Sequence, residues 1–111
     1  MDNIDFNNNG NYKFFNNSFL EFRLSNTFFQ VGKIYTIREL QNEKFIVIGK
    51  AKLVSKIEIN FNDLTSFDSY LSFNNSLKIF QEYLVKSYQL HKIDITTKKI
   101  DKLLFNFHEN S

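Results

Sequence analysis

The stretch from Gly32 to Phe61 limits the possible folds more than any other part of the chain. Two β-rich runs flank a short polar connector, Gln41-Asn42-Glu43-Lys44. The first run holds Ile34, Tyr35, Thr36 and Ile37, side chains that fit a pleated, half-buried surface. The second opens with Phe45-Ile46-Val47-Ile48 and alternates from Lys50 onward. A period of two puts Ala51, Leu53, Ser55, Ile57, Ile59 and Phe61 on one face. It puts Lys50, Lys52, Val54, Lys56, Glu58 and Asn60 on the other. A curved antiparallel pair, apolar inside and basic outside, is the expected heart of the domain.

Residues 1–17 are rich in Asn, with Asn7-Asn8-Asn9-Gly10-Asn11 and Asn16-Asn17, and read as a flexible arm with strong turn chemistry. Residues 18–111 read as a single domain. Ser18 to Leu24 has the pattern of a strand: Phe19, Glu21 and Arg23 point one way, while Leu20, Phe22 and Leu24 point to the core. After Phe61, Asn62 or Asp63 can cap a short helix with Leu64, Phe67, Tyr70 and Leu71 at helical spacing. Asn74-Asn75-Ser76 breaks the chain before a second helix, Leu77 to Tyr88, whose stripe is Leu77, Phe80, Leu84 and Tyr88. Two strands are expected in the tail, Ile93–Thr97 and Leu103–His108, with Lys98-Lys99 in the turn between them. The architecture is α+β: a small, strongly curved β-barrel with two helices inserted before the last strands.

With 111 residues there is room for one core, and 14 Phe supply much of it. No Cys is present, which removes disulfides, thiolate nucleophiles and zinc–thiolate sites, and fits a reducing, intracellular and cytoplasmic setting. No apolar run approaches a membrane span, and the acidic start Met1-Asp2-Asn3-Ile4-Asp5 argues against a secretory signal. A net charge of +2 is too mild to indicate nucleic acid without local clustering.

Three sets of residues carry candidate chemistry. Phe19, Glu21 and Arg23 share a strand face and could line a pocket for a planar ligand, with Arg23 on an acceptor edge or phosphate, Glu21 on an amino group and Phe19 stacking. The competing reading is an ordinary surface ion pair. Lys50, Lys52 and Lys56 form a stripe that could follow a phosphate backbone, or simply a solvated face. Thr36 is a conceivable nucleophile near Lys33, but no partner base stands out, so catalysis is not expected. Tyr35 and Tyr88 read as core residues with bonded hydroxyls. His91 and His108 lack further ligands at metal spacing, and Gly10, Gly32 and Gly49 are too scattered for a phosphate loop, so neither metal nor cofactor is expected.

The order of elements from Phe19 to Tyr88 resembles the ASCH domain, a β-barrel of the PUA-like superfamily. Glu21-Phe22-Arg23 resembles the end of that family's Gly-x-Lys-x-x-Glu-x-Arg motif, although Asn16 and Ser18 stand at its Gly and Lys positions. Phe29-Gln30-Val31-Gly32-Lys33-Ile34-Tyr35 resembles the approach to its second strand. Gly49-Lys50-Ala51-Lys52-Leu53-Val54 and Phe61-Asn62-Asp63-Leu64 resemble its later strand and helical insertion. The resemblance implies a cleft beside the barrel suited to RNA or a nucleotide. One branch of the family hydrolyses N4-acetylcytidine with a Lys, a Thr and a Glu. A rival register would place Lys33 and Thr36 on that Lys-x-x-Thr, with no clear counterpart for the Glu, and it leaves too little chain for the other matches. The expected function is therefore a non-catalytic RNA- or nucleotide-binding module. The alternatives are an amidohydrolase acting on a modified nucleoside and a protein-interaction accessory domain.

Overall fold

The structure, a computed structural model, describes residues 2–7, 14 and 17–108. Five strands form one mixed sheet: β1 (Asn3–Asn7), β2 (Ser18–Leu24), β3 (Ile34–Gln41), β4 (Lys44–Asn60) and β5 (Lys99–Phe107). Two helices, α1 (Ser66–Phe73) and α2 (Leu77–Gln89), lie between β4 and β5 in sequence. The spatial order is β1-β3-β4-β5-β2, with β1 parallel to β3 and every other pair antiparallel. The α+β class and the helix insertion are as the sequence implied. No ladder joins β1 to β2, so the described sheet is open rather than a closed barrel.

Length and irregularity make β4 the axis of the sheet. Its first half pairs with β3 and its second half with β5, and a bulge between Leu53 and Ser55 bends the strand where one partner replaces the other. The alternation read from the sequence survives to Leu53 and then changes phase. Ala51 and Leu53 are fully buried, but Ile57 is half exposed, and Lys56 pairs with Leu103 on the concave side. The β3–β4 turn uses Asn42 and Glu43 at φ 49° and 65°, the backbone of a tight two-residue hairpin. Gly32 supplies a φ of 90° where its N–H donates to the Leu53 carbonyl at 2.8 Å.

Curvature gives the sheet two apolar faces. On the concave face, Ile4, Phe6, Phe19, Tyr35, Ile37, Leu53, Leu103 and Phe105 make the first core. Phe19 stacks on Phe105 with ring centroids 5.2 Å apart. On the convex face, Leu20, Phe22 and Ile100 meet Phe80 and Leu84 of α2 and Leu64 of the preceding turn in a second core. Strand β2 is thus buried on both sides, whereas its sequence pattern suggested one core face. Tyr35 is sealed as expected: its hydroxyl accepts from the Gln30 N–H at 2.8 Å and donates to the Phe28 carbonyl at 3.3 Å.

Several local expectations are corrected. Asn3–Asn7, inside the stretch read as a flexible arm, forms strand β1 against β3; of the remaining Asn-rich stretch, residues 8–13, 15 and 16 lie outside the described residues. Asp63 caps a 3-10 turn, Phe61–Asp63, by accepting from the Asn60 N–H at 2.9 Å, and the helix starts later. Thr65 and Asp68 cap α1 reciprocally, each bond 3.1 Å. Helix α1 turns Asp68, Ser69 and Ser72 inward, which sends Phe67 and Tyr70 to the surface instead of the core. Ile93–Thr97 is not a strand: Asp94 accepts from the Thr96 N–H at 3.1 Å and folds Ile95–Thr97 into a 3-10 turn. The second tail strand is present and begins earlier, at Lys99.

Candidate functional site

The two strands that end the sheet, β1 and β2, face each other without a shared ladder, and α2 runs along the opening. Strand β2 alternates, so Glu21 and Arg23 follow Phe19 on the concave face, beyond the point where the first core ends. Strand β1 is held by Asp5, whose carboxylate takes two bonds from Arg38 at 2.6 and 2.8 Å. Ser76 caps α2 by accepting from the Ile79 N–H at 3.4 Å. With Phe80 and Leu84 seated on the second core, Tyr83, Ser87 and Tyr88 lie along the opening.

A cleft of about 300 Å³ occupies this seam, with Asp5, Glu21, Arg23, Tyr83, Ser87 and Tyr88 among its walls. Arg23 Nε donates to Glu21 Oε2 at 2.7 Å, and Nη2 reaches the Asp5 carbonyl across the gap at 3.4 Å. Its guanidinium carbon sits 5.3 Å from the centre of the Phe6 ring. A second hollow, about 360 Å³, shares Asp5, Arg23 and Tyr88 with the first, so the guanidinium stands where the two meet.

The electrostatics of the seam favour a neutral or zwitterionic guest. The negative charge of Glu21 raises the pKa of Arg23; burial opposes this, and the hydrogen bond to Glu21 reinforces it. Burial pushes the Tyr88 phenol up, while its hydroxyl accepts from the Leu24 N–H at 3.3 Å. Tyr88 is thus a neutral donor at physiological pH. Asp5 is committed to Arg38, and the Glu39 carboxylate accepts from Gln41 at 2.8 Å. The walls carry no surplus of positive charge for a polyphosphate. They do offer a guanidinium, a carboxylate and a phenol beside aromatic surface, the set that reads the edge of a planar heterocycle.

The other sequence candidates are dispersed. Phe19 is fully buried and packs on Phe105 and Phe107, so its ring is a core element and not a stacking platform. Lys50 and Lys52 are exposed on the outer face of β4, the middle strand of five. Lys56 is not in their stripe, because the bulge turns it inward. Its ammonium donates to the carbonyls of Asn26 at 2.7 Å and Phe29 at 2.9 Å, and lies 3.7 Å from Asp101. Lys33 is paired with Asp2, and the Thr36 N–H donates to the Asp2 carbonyl at 3.0 Å. Neither Lys33 nor Thr36 lines the seam clefts. Among the described residues no group of three or more His, Cys, Asp and Glu is placed to hold a metal ion, and no helix is long and apolar enough to cross a membrane.

Of the residues lining the seam cleft, the sequence analysis singled out Glu21 and Arg23 but not Asp5, Tyr83 and Ser87. Tyr83 carried a signal, since it stands beside the apolar stripe of α2 and not within it. Asp5 carried none, because its place depends on a parallel pairing with β3 that no local pattern encodes. No family model matches the chain, and no curated protein or solved structure is significantly similar to it.

Proposed function

We propose that the chain is a non-catalytic, ASCH-like binding module of the PUA-like type that takes one nucleobase, free or within single-stranded RNA, into the seam between β1 and β2. The observation that carries this reading is the Glu21–Arg23 pair, 2.7 Å apart, set in a cleft of about 300 Å³ against the tyrosines of α2. Glu21 accepts from an exocyclic amino group, Arg23 donates to a ring nitrogen or carbonyl, and Tyr83 provides a π face at the rim. The order of strands, the bulged long strand and the paired helices before the last strand support the likeness to ASCH domains. Lys50 and Lys52 add sequence-independent attraction only for a strand long enough to reach the outer face of β4.

Calorimetry with the four ribonucleosides, and anisotropy with short single-stranded RNA, test this reading in wild type, Arg23→Ala and Glu21→Gln. Binding of at least one base type, weakened tenfold or more in both variants, is the expected result. Failure of every nucleoside and RNA to bind, or binding indifferent to both substitutions, overturns it.

A further inference from the structure

The second hollow beside the seam has a chemistry of its own. It shares Asp5, Arg23 and Tyr88 with the first cleft and adds Asn3 from β1 and Phe28 from the loop after β2. At about 300 and 360 Å³, each hollow alone is at the small end of ordinary ligand pockets, which run from about 300 to 1,000 Å³. Side by side, they suit a ligand of two parts joined across Arg23.

Phe28 is placed as a platform and not as core. Its neighbour Phe29 is 5 % exposed and belongs to the first core, whereas Phe28 is 46 % exposed. The Phe28 ring is braced by two buried rings, Phe29 at 4.9 Å and Tyr35 at 5.9 Å. The loop that carries it is fixed as well. The Phe28 N–H donates to Asn26 Oδ1 at 2.8 Å, Asn26 Nδ2 donates to the Leu24 carbonyl at 2.9 Å, and Lys56 bonds the carbonyls of Asn26 and Phe29. A braced, half-exposed ring beside a hollow suits the face of an unstacked base, and the Asn3 amide can both donate to and accept from its edge.

Two donors stand between the hollows. The Tyr88 oxygen accepts from the Leu24 N–H at 3.3 Å, which leaves the phenol proton to donate. Arg23 directs Nε to Glu21 and Nη2 to the Asp5 carbonyl, and Nη1 has no acceptor among the described residues. Its remaining N–H groups can serve a base edge and an anionic oxygen together. A phosphodiester carries one negative charge. A terminal phosphate carries about −1.5 to −2, more than one guanidinium already paired with Glu21 can offset.

We propose, resting on the reading of the seam as a nucleobase site, that the ligand is a dinucleotide step of single-stranded RNA. One base lies in the seam against Glu21 and Tyr83. The next base lies on Phe28 with Asn3 at its edge, and the phosphodiester between them meets Arg23 and Tyr88. A free nucleoside fills only half of this site.

Calorimetry on the full chain compares the ribonucleosides, their 5′-monophosphates and the ribodinucleoside monophosphates in all base combinations. The best dinucleoside monophosphate is expected to bind about tenfold more tightly than either of its nucleosides, and the 5′-monophosphates no more tightly than the nucleosides. Phe28→Leu keeps apolar bulk against Tyr35 but removes the π face. It is expected to abolish the dinucleoside gain and to leave nucleoside affinity unchanged, and Phe28→Tyr should restore the gain. No binding by any nucleoside or dinucleoside monophosphate removes the nucleobase reading and this proposal with it. Nucleoside binding without a dinucleoside gain, a gain that survives Phe28→Leu, or a 5′-monophosphate that matches the best dinucleoside overturns this proposal alone and leaves the base in the seam.

Discussion

Lys102 of β5 holds its ammonium 2.6 Å from Oδ1 of Asp68, a carboxylate of α1 whose side chain is 2 % exposed. The other oxygen of Asp68 accepts the Thr65 N–H, so one buried carboxylate both starts α1 and fastens it to the sheet. This contact explains why α1 faces the protein with its polar side. Removing the lysine leaves a buried charge without its counterion. Lys102→Met is expected to lower stability by about 3 kcal/mol in urea unfolding, and Asp68→Asn in that background should recover part of the loss. If Lys102→Met were neutral, α1 would be held by its caps and apolar neighbours alone.

Lys56 looked like the third member of a basic stripe, and the bulge at Val54 makes it something else. Its ammonium ties the Asn26–Phe29 loop to the sheet and sits near buried Asp101, which also accepts from Ser25 Oγ at 3.0 Å and the Asn26 N–H at 3.1 Å. Lys56→Ala is expected to cost about 2 kcal/mol of stability, against less than about 0.5 kcal/mol for Lys50→Ala or Lys52→Ala. Thermal unfolding of the three variants side by side separates the roles. Equal effects would return Lys56 to the solvated stripe.

What was legible in the sequence was what depends on local period. The β3–β4 hairpin, helix α2 and the alternation of β2 are all written in spacings of two or of three and four. What was not legible depends on contacts between distant segments. Asn3–Asn7 has a weak strand signal and is recruited by β3, through backbone pairing and the ion pairs of Asp2 and Asp5. Phe19 was assigned to a ligand because one face of β2 was taken for the solvent side. Only the curl of the whole sheet reveals that this face has a core of its own. The phase change in β4 leaves no mark in the sequence, because Ser55, Lys56 and Ile57 fit either alternation.

The seam makes a sharper demand on Arg23 than on a generic cation. Its guanidinium bonds Glu21 through Nε, extends Nη2 toward β1 and lies over Phe6, a planar geometry that an ammonium cannot reproduce. Arg23→Lys is therefore expected to bind a nucleobase at least tenfold more weakly than wild type, while thermal stability changes little. Calorimetry with the nucleoside that wild type prefers measures the first, and a melting curve the second. Full affinity in Arg23→Lys would reduce the site to a point charge.

The attachment of β1 should loosen in acid. Asp5 has its pKa lowered from the ordinary 3.8, chiefly by its hydrogen bonds from Arg38, with burial opposing and the charges of Arg38 and Arg23 assisting. Asp2 is lowered too, chiefly by its hydrogen bond from Lys33. A carboxylate with a depressed folded value stabilises above its unfolded value, and that contribution is lost as pH falls through the folded value. The advantage of wild type over Asp5→Asn should hold at neutral pH and shrink to nothing as pH drops through and below 3.8. Both partners are largely solvated, so the advantage is small and weakens further with salt. Urea unfolding of the two proteins at a series of pH values reads it directly. A gap that persists unchanged well below that range would mean that Asp5 holds β1 by shape and backbone pairing, and not by charge.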